Sequence, residues 1–173
     1  MTVISFVVPG DPVGKGRPRS VSRKRRDKAT GQLVSYLAHI TPEKTEQYEE
    51  TIRKAARLAM RSRQLITGPV LCELHITVAV PQSWSKKRKA MALQGEILPT
   101  TKPDKDNVIK AIYDGINGIV WKDDVQAVAG YQRKTYGEVP GVHVRIVPLD
   151  AEPAQGRATI TRRSDSDNFR GAI

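Results

Sequence analysis

Between Val70 and Val80 the chain places an apolar residue at every second position: Val70, Cys72, Leu74, Ile76, Val78 and Val80. A period of two sustained over that length describes a β-strand with one face turned to a core. Such a strand needs neighbours to pair with and an apolar layer to cover it. Residues 2–8 (TVISFVV) read as a first strand ended by Pro9 and Gly10, and 32–40 as a short second one. Residues 125–134 and 141–148 alternate as well. The covering layer is helical. Thr41-Pro42-Glu43 opens a helix, with Thr as N-cap, Pro at the first helical position and Glu at the positive dipole end. Tyr48, Ile52, Ala55, Ala56, Ala59 and Met60 then recur at steps of three and four until about Ser62, with Arg53, Arg57 and Arg61 on another face. A second helix is predicted from about Asp106 to Asn117, with Val108, Ile109, Ile112, Tyr113 and Ile116 as its stripe and Gly118 at its end. Residues 83–94 read as a short basic helix beginning near Ser83.

The order β, β, α, β, α, β, β, with mostly hairpin-length links, predicts one α+β domain over residues 1–149. It is a small mixed β-sheet with two main helices packed on one face. Residues 10–31, rich in Gly, Pro and basic side chains, are read as a loop. The polar, aperiodic stretch 150–173 is read as a disordered tail.

Chain length and composition narrow the functional classes. The 173 residues suit one domain plus a tail, and 39% hydrophobic content suffices for a core. No apolar run is long enough for a membrane span, and no signal-peptide pattern opens the chain. A single cysteine, Cys72, excludes an internal disulfide and an all-cysteine metal cage, and points to a reducing cytoplasm. Twenty-nine Lys and Arg against 18 Asp and Glu leave a net charge of +11. Residues 14–28 hold eight bases and one acid, and 86–89 (KKRK) four more bases, so two segments carry essentially the whole surplus. Nucleic acid is the expected partner. Lys15, Arg17, Arg19, Arg23, Lys24, Arg25, Arg26, Lys86, Lys87, Arg88 and Lys102 are the expected contacts to its backbone.

In so basic a chain the clustered acids stand out. Asp104 and Asp106 bracket Lys105 directly before the second helix, and Asp123-Asp124 follow Trp121. On an extended segment, residues two apart face the same side, so Asp104 and Asp106 can point together. Lys110 lies one turn after Asp106, and the following strand could return Asp124 to the same place. Converging carboxylates beside a lysine suit a hard divalent cation, with the lysine offsetting charge that builds on phosphorus. The alternative is local structure: Asp106 as a helix cap and Asp123-Asp124 as a turn.

Several motifs come close and fail. Gly10-Asp11-Pro12-Val13-Gly14-Lys15-Gly16 is one residue short of a nucleotide-binding loop and has glycine where Ser or Thr belongs, so no nucleotide cofactor is expected. Its glycines instead allow the backbone near a phosphate, or turn the chain. His39, His75 and His143 have no zinc spacing and read as sheet positions. Neither Asp-x-Lys nor Glu-x-Lys occurs. Trp84, Trp121, Tyr113 and Tyr131 read as core or hairpin aromatics rather than base-stacking platforms.

The run Lys102-Pro103-Asp104-Lys105-Asp106-Asn107, the later Lys110 and Gly118-Ile119-Val120-Trp121-Lys122-Asp123-Asp124 resemble the RusA-type Holliday junction resolvases, especially their phage and prophage branch. Val8-Pro9-Gly10-Asp11-Pro12-Val13-Gly14-Lys15-Gly16-Arg17-Pro18-Arg19, Thr41-Pro42-Glu43-Lys44-Thr45 and Pro81-Gln82-Ser83-Trp84-Ser85-Lys86-Lys87 resemble that branch too, over about residues 3–148 in the same order. The resemblance implies a homodimeric endonuclease that uses Mg²⁺, with Mn²⁺ as a substitute. It would resolve four-way DNA junctions by symmetric nicks in recombination and repair. By match, Asp104, Asp106 and Asp124 would be the metal-binding catalytic carboxylates, with Asp123 beside them, and Lys110 the catalytic lysine. Two other readings stay open: a metal-dependent nuclease for flaps, forks or RNA, and a basic DNA-binding protein without chemistry.

Overall fold

A computed structural model describes residues 2–149; the tail read over 150–173 lies outside the described residues. The strands are β1 (Ile4–Pro9), β2 (Arg19–Arg26), β3 (Leu33–Ile40), β4 (Val70–Ala79), β5 (Ala127–Gly137) and β6 (Gly141–Pro148). The helices are α1 (Glu43–Met60), α2 (Lys86–Leu93) and α3 (Lys105–Ile116). β4, the alternating strand, lies inside a four-stranded sheet of order β1-β6-β4-β5. It pairs parallel with β5 and antiparallel with β6, so the sheet is mixed as expected.

Val70, Cys72, Leu74 and Ile76 of β4 face inward with Ile4, Phe6 and Val8 of β1 and Val142, Val144 and Ile146 of β6. Tyr48, Ile52, Ala56 and Met60 of α1 and Val108, Ala111, Ile112 and Ile116 of α3 cover them from one side. Fully buried Val120 and Trp121 close the layer. The two helices predicted from their three-to-four spacing therefore form the cover, and α2 stands apart at β5, where Trp84 meets Tyr136 edge-on at 5.3 Å. Glu73, His75, Tyr131, Arg133, His143 and Arg145 occupy the open face of the sheet. His75 and His143 stand opposite one another in register, each hydrogen-bonded to a hydroxyl, so they fill sheet positions as read.

Three readings are corrected. Residues 10–31 are not one loop: Arg19–Arg26 is a strand, paired antiparallel with Leu33–Ile40 as a separate two-stranded arm. The turn that joins them is built by Asp27, whose carboxylate accepts from the backbone N–H groups of Ala29 and Thr30, and by Gly31 at φ 70°. Secondly, β5 and β6, though joined by only a short link, do not pair; β4 lies between them. Thirdly, the helix ends move slightly. Pro42 rather than Thr41 stands at the α1 cap, with no side-chain cap bond, and Ser85 rather than Ser83 caps α2. Gly118, at φ 70°, lies just past the end of α3, as predicted.

Candidate active site

The second predicted helix, α3, begins at Lys105 rather than Asp106. Asp104 is the N-cap of α3, with extended backbone angles, yet its carboxylate makes no cap hydrogen bond. Its one side-chain partner is the Asn107 amide, at 3.4 Å. Asp106 is therefore helical, in the first turn, and the extended geometry that would align it with Asp104 is not formed. Its partner is Lys110, with the ammonium 3.5 Å away one turn along, as the spacing predicts.

Asp123 and Asp124 precede β5 in a short 3₁₀ turn. Asp123 caps that turn. Its carboxylate accepts from the Val125 N–H at 3.1 Å, and the Gln126 side chain returns to the Asp123 N–H at 3.1 Å. Gln126 also donates to the carbonyls of Ile66 and Gly68, which ties the turn to the start of β4. Half-buried Asp124 makes no such bond and stands near Tyr113 of α3. Burial, and less strongly its Cys72 and Asp124 neighbours, hold the Tyr113 hydroxyl well above the usual phenol range.

A cleft of about 390 Å³ opens beside Asp104, lined among others by Gly14, Lys15, Lys44, Lys102 and Asn107. Gly14 and Gly16 explain its closeness. A Cβ on Gly14 would come within 2.9 Å of the Asn107 Cβ, and one on Gly16 within 2.8 Å of the Thr45 hydroxyl. The segment is thus pressed between the start of α3 and the start of α1. It is held by Lys15 N–H to the Asn107 carbonyl at 2.9 Å and Gly16 N–H to the Thr45 hydroxyl at 3.2 Å. The Lys15 ammonium pairs with Asp114. Two helix N-termini and three lysines around one cleft favour an anion. Lys44, Asn107 and Asp114 carried no spacing signal, because the chain meets them only after folding.

Behind the cleft, the Lys134 ammonium on β5 donates to the carbonyls of Thr101 and, at 2.8 Å, Pro103. Burial lowers its pKa, against the opposing pull of Asp104. Arg19, Arg23, Lys24, Arg25 and Arg26 stand exposed on β2, Arg17 just before them, and Lys86, Lys87 and Arg88 on α2. The Arg88 guanidinium lies 3.9 Å over the Trp84 ring. Trp121 is wholly buried and packs edge-on against Tyr113 at 5.1 Å, a core aromatic as expected, whereas Tyr131 is exposed on the open sheet face.

Among the described residues, no three His, Cys, Asp or Glu side chains gather closely enough to enclose a metal by themselves. The donor chemistry fits Mg²⁺ all the same. That ion takes hard oxygen ligands, commonly one or two carboxylates with its remaining positions left to water and substrate phosphate. Among the described residues no helix is long and apolar enough to cross a membrane.

A mixed sheet with two covering helices, acids at the head of α3 and a lysine-lined cleft beside them define a small α+β protein built to hold a polyanion. The chain matches the family described as "Endodeoxyribonuclease RusA" over residues 9–147, and it belongs to that family. It is also similar to the uncharacterized protein YqaN of Bacillus subtilis (strain 168), with 35% identity over 154 residues, 87% of this chain and all of YqaN. The fold and the family together make it an endodeoxyribonuclease, and they agree with the likeness read from its motifs.

Proposed function

We propose that this chain resolves four-way DNA junctions as a homodimer, using Mg²⁺, or Mn²⁺ in its place, to cut two strands in paired, symmetric positions. The observation that carries the reading is the Asp104 carboxylate, free of any capping duty, at the mouth of a cleft lined by Lys15, Lys44 and Lys102. Family membership supplies the DNA substrate class. Asp104 at the cleft would hold the cation, and Asp106 and Asp124 would join it only once DNA and metal draw them together, since no three acids gather closely enough among the described residues. Asp123 is the weaker candidate, because one of its oxygens already accepts from Val125. The cation, when bound, supplies Lewis acidity toward the phosphoryl oxygens and lowers the pKa of attacking water.

The chain's own groups do the rest. Lys15, Lys44 and Lys102 draw the backbone into the cleft and fix its register, while the two helix N-termini favour the phosphate charge. Lys110, held by Asp106, offsets the charge that grows on phosphorus as the bond breaks. A four-way junction has approximate two-fold symmetry, so an isologous dimer offers two identical sites to two equivalent strands.

The test is cleavage of a mobile four-way junction with and without Mg²⁺, mapped on each strand, beside flap, fork and RNA substrates. Metal-dependent nicks at paired symmetric positions are expected. Absence of cutting with any divalent metal, or preferential unpaired cutting of flaps and forks, overturns the proposal.

A further inference from the structure

The arm formed by β2 and β3 packs on itself and on no other strand or helix to a comparable extent. Every residue of β2 and all of β3 except Ala38 is exposed. An isolated two-stranded ribbon is marginal in water, and stability comes with a third strand or a packed face. The side chains show which side of the arm is incomplete. β2 carries Arg19, Arg23, Lys24, Arg25 and Arg26, whereas β3 (LVSYLAHI) carries no Lys, Arg, Asp or Glu. The cross-strand register sets Ser22 against Leu37 and Arg26 against Leu33 on one face, and Arg23 against Tyr36 and Arg25 against Val34 on the other. The asymmetry therefore runs from edge to edge rather than from face to face. One edge is cationic; the other carries no Lys, Arg, Asp or Glu and is apolar apart from Ser35 and His39, the latter bonded back to Ser20, with Leu33 and Leu37 66% and 69% exposed.

We propose that the free edge of β3 pairs antiparallel with β3 of a second copy, joining two arms into a four-stranded ribbon β2-β3-β3′-β2′. The proposal rests on the homodimer reading above and names the surface that makes the dimer. Exposed edge strands are ordinarily guarded by charge or proline; β2 is guarded and β3 is not. Like charges forbid pairing through β2, so self-association selects β3. Pairing satisfies the outward backbone groups of β3 and buries its leucines. It also leaves both cationic β2 edges outermost, where DNA reaches them. Other faces suit a second copy less well. The open sheet face is charged by Glu73, Arg133 and Arg145. β1, whose groove against α1 is lined by Val7, Lys54 and Leu58, offers six residues and ends at Pro9.

A two-fold axis through an antiparallel pair sets a mid-strand residue opposite its own copy, here Tyr36 or Leu37. The test introduces one cysteine at a time into the full chain as Tyr36→Cys, Leu37→Cys or Val7→Cys. Cys72 stays silent, since it is fully buried and burial pushes its thiol up to about 11. Mild oxidation should give a covalent dimer with Tyr36→Cys or Leu37→Cys and little with Val7→Cys. Leu37→Lys, which sets two ammonium groups against each other at the axis, should weaken the dimer by at least about 100-fold in sedimentation, with circular dichroism unchanged. Cross-linking confined to Val7→Cys, or a Leu37→Lys chain that stays dimeric, overturns the proposal. A wild-type chain that cuts junctions as a monomer refutes this pairing and leaves the nuclease reading intact. A chain dimeric through β3 that cuts nothing does the reverse.

Discussion

Asp123 and Asp124 are sequence neighbours with different environments, and the difference predicts different phenotypes. Asp123 is exposed and bound to the Val125 N–H in a reciprocal cap with Gln126. Asp123→Ala should cost about 1 kcal/mol of stability, as the removal of a cap does, and keep cutting. Asp124→Asn should abolish metal-dependent cutting with little change in melting temperature. The reverse pattern, read by thermal melts and junction cleavage, would transfer the metal role to Asp123. Asp104→Asn should stop cutting yet keep or tighten junction binding, because a negative group facing phosphate is gone. Lys134→Met should leave the Thr101 and Pro103 carbonyls without their donor. Removing a part-buried hydrogen bond of this kind costs about 1–3 kcal/mol, and kcat should fall more than junction affinity does. The acids were legible because they interrupt a basic sequence. Lys134 was not, since in an alternating strand it is one polar residue among several, and its purpose lies in a loop about thirty residues away.

At the scale of elements, what the sequence revealed follows the strength of its periodicity. α1, α3 and β4 repeat apolar residues at the period of their own geometry, and each folds where that pattern lies. β2 has no apolar period, because both of its faces are exposed, so only its partner strand and the Asp27–Gly31 turn reveal it. The insertion of β4 between β5 and β6 leaves no local mark either: a short link ordinarily joins neighbouring strands, and nothing in the residues of this link signals the exception. Two predictions belong here. Replacing Arg23, Lys24, Arg25 and Arg26 together with Ala should weaken junction binding and flatten its dependence on log salt by about 0.9 for each phosphate that the arm no longer neutralises. An unchanged slope would remove the arm from the DNA interface. Gly115 of α3 faces Ile52 of α1, where an added Cβ would come within 2.6 Å of the Ile52 Cγ2. Gly115→Val should therefore destabilise the fold by about 1–3 kcal/mol, the range for overpacked cores, measured by denaturant unfolding.

In the whole molecule the charges are sorted rather than mixed. The surplus of +11 is concentrated in the segments that form the arm, the cleft loop and α2, while the acids Asp104, Asp106, Asp123 and Asp124 mark the two ends of the stretch from α3 to the turn before β5. Asp104 stands beside the lysines of the cleft, yet among the described residues its carboxylate forms an ion pair with none of them. Lys110 answers Asp106 at the surface, and the Asp104 carboxylate has only the Asn107 amide. A divalent ion there should act on the fold as well as on the reaction, because a ligand bound only by the native state stabilises it by RT ln(1 + [L]/Kd). With metal about tenfold above its Kd, the gain is about 1.4 kcal/mol, or about 3–6 °C in melting temperature for a domain of this size. Melting the DNA-free protein across a Mg²⁺ titration reads this directly, without reference to cleavage. The wild-type chain should rise and saturate, and Asp104→Asn and Asp124→Asn should each stay flat or rise only at far higher metal. If both variants follow the wild-type curve, the cation that stabilises the fold binds elsewhere, and the assignment of these carboxylates as its ligands fails even if the enzyme cuts junctions.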